Sequence, residues 1–294
     1  MALQSLTQIH NHSWYVQAPT NIGVVETGDG VFMIDSGIDK TAASRVKKLI
    51  DEMGWHFKGV INTHSNADHI GGNSYLQSQF NCEIWASRGE SVFIEDPGLE
   101  GNVVWGGDPF RDLHTRFFKA PPSTVTRIVV PGEPAGPFTF IGLGGHFFDH
   151  IGVLTGDRVC YLGDAVFGDY VLDKYKIPFI HNVKEYTESL HEMKNIQADY
   201  FVPSHGGVET GIETMADRNL RRVEEVEETI LSIAKESLGF EDILKRTADH
   251  FGLEMGYSQY TLVGSTIRSF LTYLSNQHKI DYVFEQNKMY WKTK

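Results

Sequence analysis

The segment Asn62-Thr63-His64-Ser65-Asn66-Ala67-Asp68-His69-Ile70-Gly71-Gly72-Asn73 gathers two histidines, an amide and a carboxylate between residues 64 and 69. Imidazole nitrogen and carboxylate oxygen together suit zinc, iron or manganese. At a turn between a strand and a helix, His64 can aim one way while Asp68 and His69 aim another, so one loop can serve two neighbouring metal sites. The plainer reading makes Asp68 a helix cap beside surface histidines. Three further places weigh against it. Gly145-His146, Gly163-Asp164 and Ser204-His205-Gly206 each put a nitrogen or oxygen donor after a strand-like run, with glycine beside it where the backbone can approach an ion closely.

Together these residues resemble the metallo-β-lactamase superfamily. Its pattern of His-x-His-x-Asp-His, a distant His, an Asp in a Gly-Asp pair and a last His is matched by His64, Asn66, Asp68, His69, His146, Asp164 and His205, with asparagine at the second histidine position. Val31-Phe32-Met33-Ile34-Asp35-Ser36-Gly37 is similar to the family's early strand, whose aspartate, here Asp35, orients the ligand loop from behind. The likeness runs from about residue 14 to 212. It implies a four-layer αββα sandwich of the α/β class, with His64 and His146 at site one, Asp68, His69 and His205 at site two, and Asp164 bridging. One or two divalent ions per chain are implied, zinc first, with iron or manganese as alternatives. An amide oxygen is a weaker donor to zinc than imidazole. Two outcomes stay open: site two filled tightly and site one loosely, or Asn66 giving its oxygen to a harder ion.

Divalent ions in such a site lower the pKa of bound water from about 15.7 towards 7 and polarise a carbonyl or phosphoryl oxygen. The expected function is therefore a metal-dependent hydrolase acting on an ester, thioester, lactone or similar bond of a small substrate. Asp68 and Asp164 would orient the water, and His150 and His181 are candidate proton donors. His64, His146 and Asp164 also make two histidines and one carboxylate, the ligand set of ferrous oxygenases. A mono-iron dioxygenase acting on a thiol or persulfide is the alternative, and a non-enzymatic metal-dependent regulator is the third reading. Hydrolysis of β-lactams does not follow, because function lies in the pocket rather than the fold.

The elements that must position these residues are legible in the periodicity. Residues 22–26 and 31–35 alternate around a Gly28-Asp29-Gly30 turn and predict a hairpin. Ala42, Val46, Leu49, Ile50 and Met53 then predict a helix, and residues 59–62 and 83–86 predict strands. From residue 87 to 122 the pattern dissolves into Gly, Pro, Asp and aromatics, so an ordered irregular insertion, a candidate lid, is expected over the site. Strands follow at 127–130, 138–141, 151–155 and 158–162, the last two as a hairpin, then a helix through Tyr186, Leu190 and Met193, and a strand at 200–203. Trp105, Phe110, Tyr170, Tyr175 and Phe179, with His181, lie in segments able to wall a substrate pocket.

The chain divides by composition into a catalytic part, 1–212, and a helical part, 213–294. The second part predicts three helices and a hairpin, a winged-helix-like outline. It carries 11 Lys and Arg against 13 Asp and Glu, and the whole chain has a formal charge of −12. That balance is unfavourable for phosphate backbones, so no nucleic-acid partner is expected, and packing against the catalytic part or a homo-oligomer contact is the better use of the tail. Cys82 and Cys160 have apolar neighbours and are too few for a disulfide framework. With neither a leader-like stretch in residues 1–15 nor a run apolar enough to span a membrane, a cytoplasmic protein is expected.

Overall fold

The computed structural model describes residues 5–115 and 117–294. Strands β1 (Leu6–His10), β2 (Ser13–Val16), β3 (Ile22–Thr27) and β4 (Gly30–Ile34) form an antiparallel meander. Helix α1 (Lys40–Glu52) crosses to β5 (Phe57–Ile61), which pairs parallel with β4; α2 (Ala67–Ile70), α3 (Asn73–Phe80) and β6 (Glu83–Ala86) follow. After α4 (Arg88–Glu95) and α5 (Gly98–Trp105), strand β7 (Arg127–Ile128) completes a seven-stranded sheet in sequence order. A second sheet is made by β8 (Pro134–Ala135), β9 (Phe138–Gly142), β10 (Ile151–Thr155), β11 (Val159–Gly163) and β12 (Tyr200–Pro203), in the order β12-β11-β10-β9-β8.

Period-two alternation assigns each strand residue to one of the layers. In β4, Phe32 and Ile34 face the second sheet and pack with Phe138, Phe140, Ile151 and Val153, whereas Val31 and Met33 face outward onto Val46 and Ile50 of α1. In β11, Val159 and Tyr161 join the inter-sheet core, while Cys160 and Leu162 point to the opposite helical layer. Both faces of both sheets are thereby covered, which is the expected four-layer αββα sandwich. Helix α1 starts where the Asp39 carboxylate accepts from the amides of Thr41 and Ala42. Both cysteines are buried and free. Among the described residues no helix is long and apolar enough to cross a membrane.

The insertion differs from expectation. It contains α4, α5 and a single 3-10 turn at Arg111–Leu113 rather than irregular chain. Gly89, Pro97, Gly98 and Gly101 read as breakers, but burial of Phe93, Ile94 and Val104 overrides their local preference. The first two strands, β1 and β2, and the short helix α6 (Asp169–Tyr175) were also not expected. They carry no clean alternation or long apolar face.

After α7 (Val183–Met193), the tail holds α8 (Glu213–Ile233), β13 (Leu238–Gly239), α9 (Phe240–Phe251), α10 (Tyr257–Asn276), β14 (Ile280–Glu285) and β15 (Lys288–Thr293), the strands forming a small sheet. Three helices and a hairpin thus lie where the periodicity put them. Their apolar faces share one core with the second sheet, running from Leu143, Cys160 and Leu162 through Tyr186 and Leu190 to Val223, Ile243, Phe270 and Leu274. Buried Asn219 stitches the layers together: its Oδ1 accepts from the Phe167 amide at 3.1 Å and the Tyr186 hydroxyl at 2.9 Å, and its Nδ2 donates to Phe167 O at 2.8 Å. A chain ended after residue 212 should therefore aggregate or lose cooperative melting, whereas a soluble, sharply melting fragment would mean the body folds alone. Asn219→Ala, which orphans buried backbone groups, should cost about 2–4 kcal/mol in urea unfolding.

Candidate metal centre

Five loops deliver the candidate residues to one edge of the sandwich. Asp35 follows β4, residues 62–70 follow β5, His146 and His150 lie between β9 and β10, Asp164 follows β11, and His205 follows β12. The approach is close enough to need glycine at Gly163, whose φ is +57° and where a Cβ would sit 2.4 Å from His150 Nε2 and 2.6 Å from Thr63 Oγ1.

Donor atoms of His64, His146 and Asp164 lie within 4.8 Å of one another, and so do those of Asp68, His69 and His205. His69 Nε2 is 3.4 Å from Asp164 Oδ1, and His205 Nε2 is 3.3 Å from Asp164 Oδ2, so Asp164 stands between the clusters. His64, His146, Asp68, His69, His205 and Asp164, the residues singled out in the sequence, are thus brought together.

Every ring is held from behind through Nδ1. His69 Nδ1 meets Asp35 Oδ2 at 2.8 Å, His205 Nδ1 meets Pro19 O at 2.6 Å, His146 Nδ1 meets Phe179 O at 2.9 Å, and His64 Nδ1 meets Thr63 Oγ1 at 3.1 Å. These acceptors hold a proton on Nδ1, so Nε2 is the atom left to ligate, once any proton on it is lost. Thr63 Oγ1 can accept from His64 because it donates to Asp35 Oδ2 at 2.8 Å, and Asp35 Oδ1 accepts from the Thr63 amide. Asp35 adopts φ +61° to do so.

The inward atoms fit a cation. His64 Nε2, His69 Nε2 and Asp164 Oδ1 are buried without a hydrogen-bond partner. Lone pairs left so in a dry space are costly unless a positive charge satisfies them. Asn66 Oδ1 lies 2.9 Å from His146 Nε2, and Asn66 Nδ2 donates to Glu100 Oε1 at 2.8 Å. Asp68 accepts from Thr20 Oγ1 at 2.8 Å.

Protonation responds to the same crowding. Burial depresses the pKa of His64, and the neighbouring His69, His150 and His146 add to it. For His205, burial works against the charged ring, but Asp164 and Asp68 outweigh it and hold the pKa up at about 9. His69 goes the same way: burial opposes the charge and Asp68, Asp164 and Asp35 overcome it.

Two residues that the sequence reading did not single out come from the insertion. Glu90 of α4 accepts from the Ser65 amide at 2.9 Å with one oxygen and from the Asp149 amide at 2.7 Å with the other, so it clamps two ligand loops together. Burial raises its pKa to about 7. Glu100 of α5 is buried behind Asn66, and burial, with Asp68 nearby, raises its pKa well above the carboxylate range. An acidic residue shortly before each of the apolar runs 92–94 and 103–105 was the only sequence signal for them.

The other candidates are placed away from the donors or behind them. His150 stacks on His64 with ring centroids 4.8 Å apart, and its Nε2 accepts from the Asp164 amide at 3.1 Å, so it braces the centre. Phe179 flanks His146, at 5.5 Å, and His181 stacks on Phe148 at 4.1 Å. Trp105 and Phe110 pack on each other and on Tyr260 and Tyr257 of α10. Tyr170 and Tyr175 take Lys174 against their rings on the exposed side of α6.

Asp35→Asn keeps a residue that tolerates positive φ but offers an amide N–H to His69 Nδ1, which forces the ring proton onto Nε2. Metal affinity measured by chelator competition should fall about 10–100-fold, and an unchanged value would remove Asp35 from this role. Ligation must also displace the His205 proton. Because that pKa is raised in the fold, its stabilisation of the metal-free chain is complete below about pH 6.5 and lost as pH rises through about 9. Apparent metal affinity should accordingly climb by at least about tenfold per pH unit up to that point, more steeply where the His69 proton is displaced as well, with proton release visible by calorimetry in buffers of different ionisation enthalpy.

The family model described as "Metallo-beta-lactamase superfamily" matches residues 16–205. The chain is 27% identical over 138 residues to a hydroxyacylglutathione hydrolase of Methylococcus capsulatus, covering 47% of this chain and 46% of that protein. It is 33% identical over 126 residues to one of Hyphomonas neptunium, covering 43% of each. The match thus spans less than half the length of these curated relatives. In fold, the chain resembles a beta-lactamase domain protein of Burkholderia ambifaria with a TM-score of 0.75 at 19% identity, covering 100% of this chain and 94% of that one. A metallo-beta-lactamase family protein of Thermus thermophilus gives 0.73 at 15% identity, covering 99% and 97%. Sandwich, donor clusters and matched residues agree, and the chain belongs to the metallo-beta-lactamase superfamily.

Proposed function

We propose that this chain is a metal-dependent hydrolase that cleaves the carbonyl–sulfur bond of a small acyl thioester, with acyl-glutathiones as the first class to test. The observation that carries the reading is the pair of donor clusters joined at Asp164. The relatives named hydroxyacylglutathione hydrolases support thioesters over other acyl bonds. A complete Asp68, His69 and His205 cluster favours hydrolysis over a single ferrous ion at His64, His146 and Asp164. Divalent ions there, zinc first among them, would supply an activated water near neutral pH and polarise the carbonyl oxygen.

The chain's own residues set the approach. His64 and His69 are fully covered, whereas the side chains of Asp68 and His205 are 19% and 22% exposed. Substrate therefore reaches the centre from the second cluster's side. Asp68, steadied by Thr20, is positioned there to orient a water and take its proton, while Asp164 lies deeper between the clusters. Phe167 and Phe179 flank His146 and keep bulk water from that side. The charge of −12 fits a small substrate rather than a nucleic acid. Two buried free thiols fit a reducing cytoplasm.

The test is thiol release from a panel of acyl-glutathione and acyl-coenzyme A thioesters, with aryl esters and lactones alongside. Release is expected to vanish with a chelator, return with metal, and fall roughly 10²–10⁴-fold in Asp68→Ala, with His205→Ala also impaired. Turnover should be the same without oxygen. Full turnover by the metal-stripped chain or by both variants would overturn the reading, and oxygen uptake dependent on ferrous iron would replace it with the oxygenase.

A further inference from the structure

We propose that Glu100 makes Asn66 a metal ligand: by accepting the amide Nδ2 hydrogen, it fixes the side chain so that Oδ1 points at the ion of the first cluster. The inference rests on the metal-dependent reading of the centre but on no particular substrate.

Three observations carry it. His146 Nδ1 faces the Phe179 carbonyl at 2.9 Å, so the ring proton sits there and Nε2 presents a lone pair. Asn66 Oδ1 stands 2.9 Å from that Nε2. Two acceptors at this separation repel unless a cation lies against both, and the separation suits two ligands of one ion. His64 Nε2, the first cluster's other imidazole donor, is one of the partnerless buried atoms already described, and Asp164 Oδ2 lies 3.7 Å from His146 Nε2.

An asparagine side chain can turn either end inward. What selects the oxygen here is Glu100, whose Oε1 is 2.8 Å from Nδ2. A carboxyl oxygen accepting from the amide nitrogen also draws electron density towards the amide oxygen, which offsets part of the donor strength lost with imidazole. Glu100 thus stands to Asn66 as Asp35 stands to His69. It is a positioning residue, and it comes from α5 of the insertion, so that segment would complete the metal site as well as lie beside it.

Cobalt(II) titration of the metal-stripped full chain, followed by its visible absorption and by chelator competition, tests this without turnover. The parent should take up two ions, and Asn66→Ala should weaken one of the two equivalents, which identifies the first cluster. Glu100→Leu should weaken the same equivalent about 10–100-fold and leave the other unchanged. Glu100→Gln, which keeps shape and an acceptor oxygen, should stay close to the parent and guards against a folding defect in the leucine variant. In the Asn66→Ala background, Glu100→Leu should cost nothing more. Unchanged or tighter binding in Glu100→Leu, a full effect persisting in Asn66→Ala, or a parent that takes up only one ion would each overturn the proposal. A parent that binds no cobalt at all would instead overturn the metal-dependent reading itself.

Discussion

Each of the four imidazoles in the donor clusters gives its Nδ1 proton outward, and an acceptor stands behind every one of them. Without Asp35, Thr63, Phe179 O and Pro19 O, the rings would be free to turn or change tautomer, and their inward nitrogens would cease to form a ligand set. The acceptors come from four separate stretches of chain. Asp35 follows β4, Thr63 follows β5, Pro19 lies between β2 and β3 and Phe179 between α6 and α7, and the sandwich brings these loops to one edge, so the two-sheet core and the centre depend on one another.

Holding these groups dry has an electrostatic cost that the fold meets locally. Burial pushes His64 and His146 towards the neutral ring, while Asp164, wedged between His69 and His205, is held well below the carboxylate range despite its burial. Around them α4 and α5 bring two further buried carboxyls, Glu90 and Glu100, tied to the ligand loops rather than to solvent. The insertion therefore shapes the centre from behind. Its aromatic end, Trp105 and Phe110, meets α10 of the tail. Insertion, tail and second sheet are thereby linked, which places the tail in the folding unit of the centre and not only at its border.

How much was legible in sequence follows from the range over which each signal acts. The periodicities of β3, β4, α1, α7, α8, α9 and α10 are local, since one buried face repeats within a few residues, and the elements lie where those faces were read. The donors were legible because ligand chemistry restricts residue types, and the His64, Asp68, His69 spacing with Gly-Asp and His-Gly elsewhere narrows the fold family. The helices of the insertion were not legible, since their glycines and Pro97 mimic loop chemistry and only packing of Phe93, Ile94 and Val104 against the body reveals them.

The sequence by itself determined where most strands and helices lie, the donor types, and the one departure from the family pattern at Asn66. Tertiary structure alone decided which donors share a cluster, which atom of each ring faces inward, and that Glu100, 34 residues away, lies against the Asn66 amide. The reason is physical: donor identity is a property of single residues, whereas tautomer, amide orientation and protonation are set by acceptors and charges a few ångströms away in space, brought there by segments that carry no mark of one another in the chain.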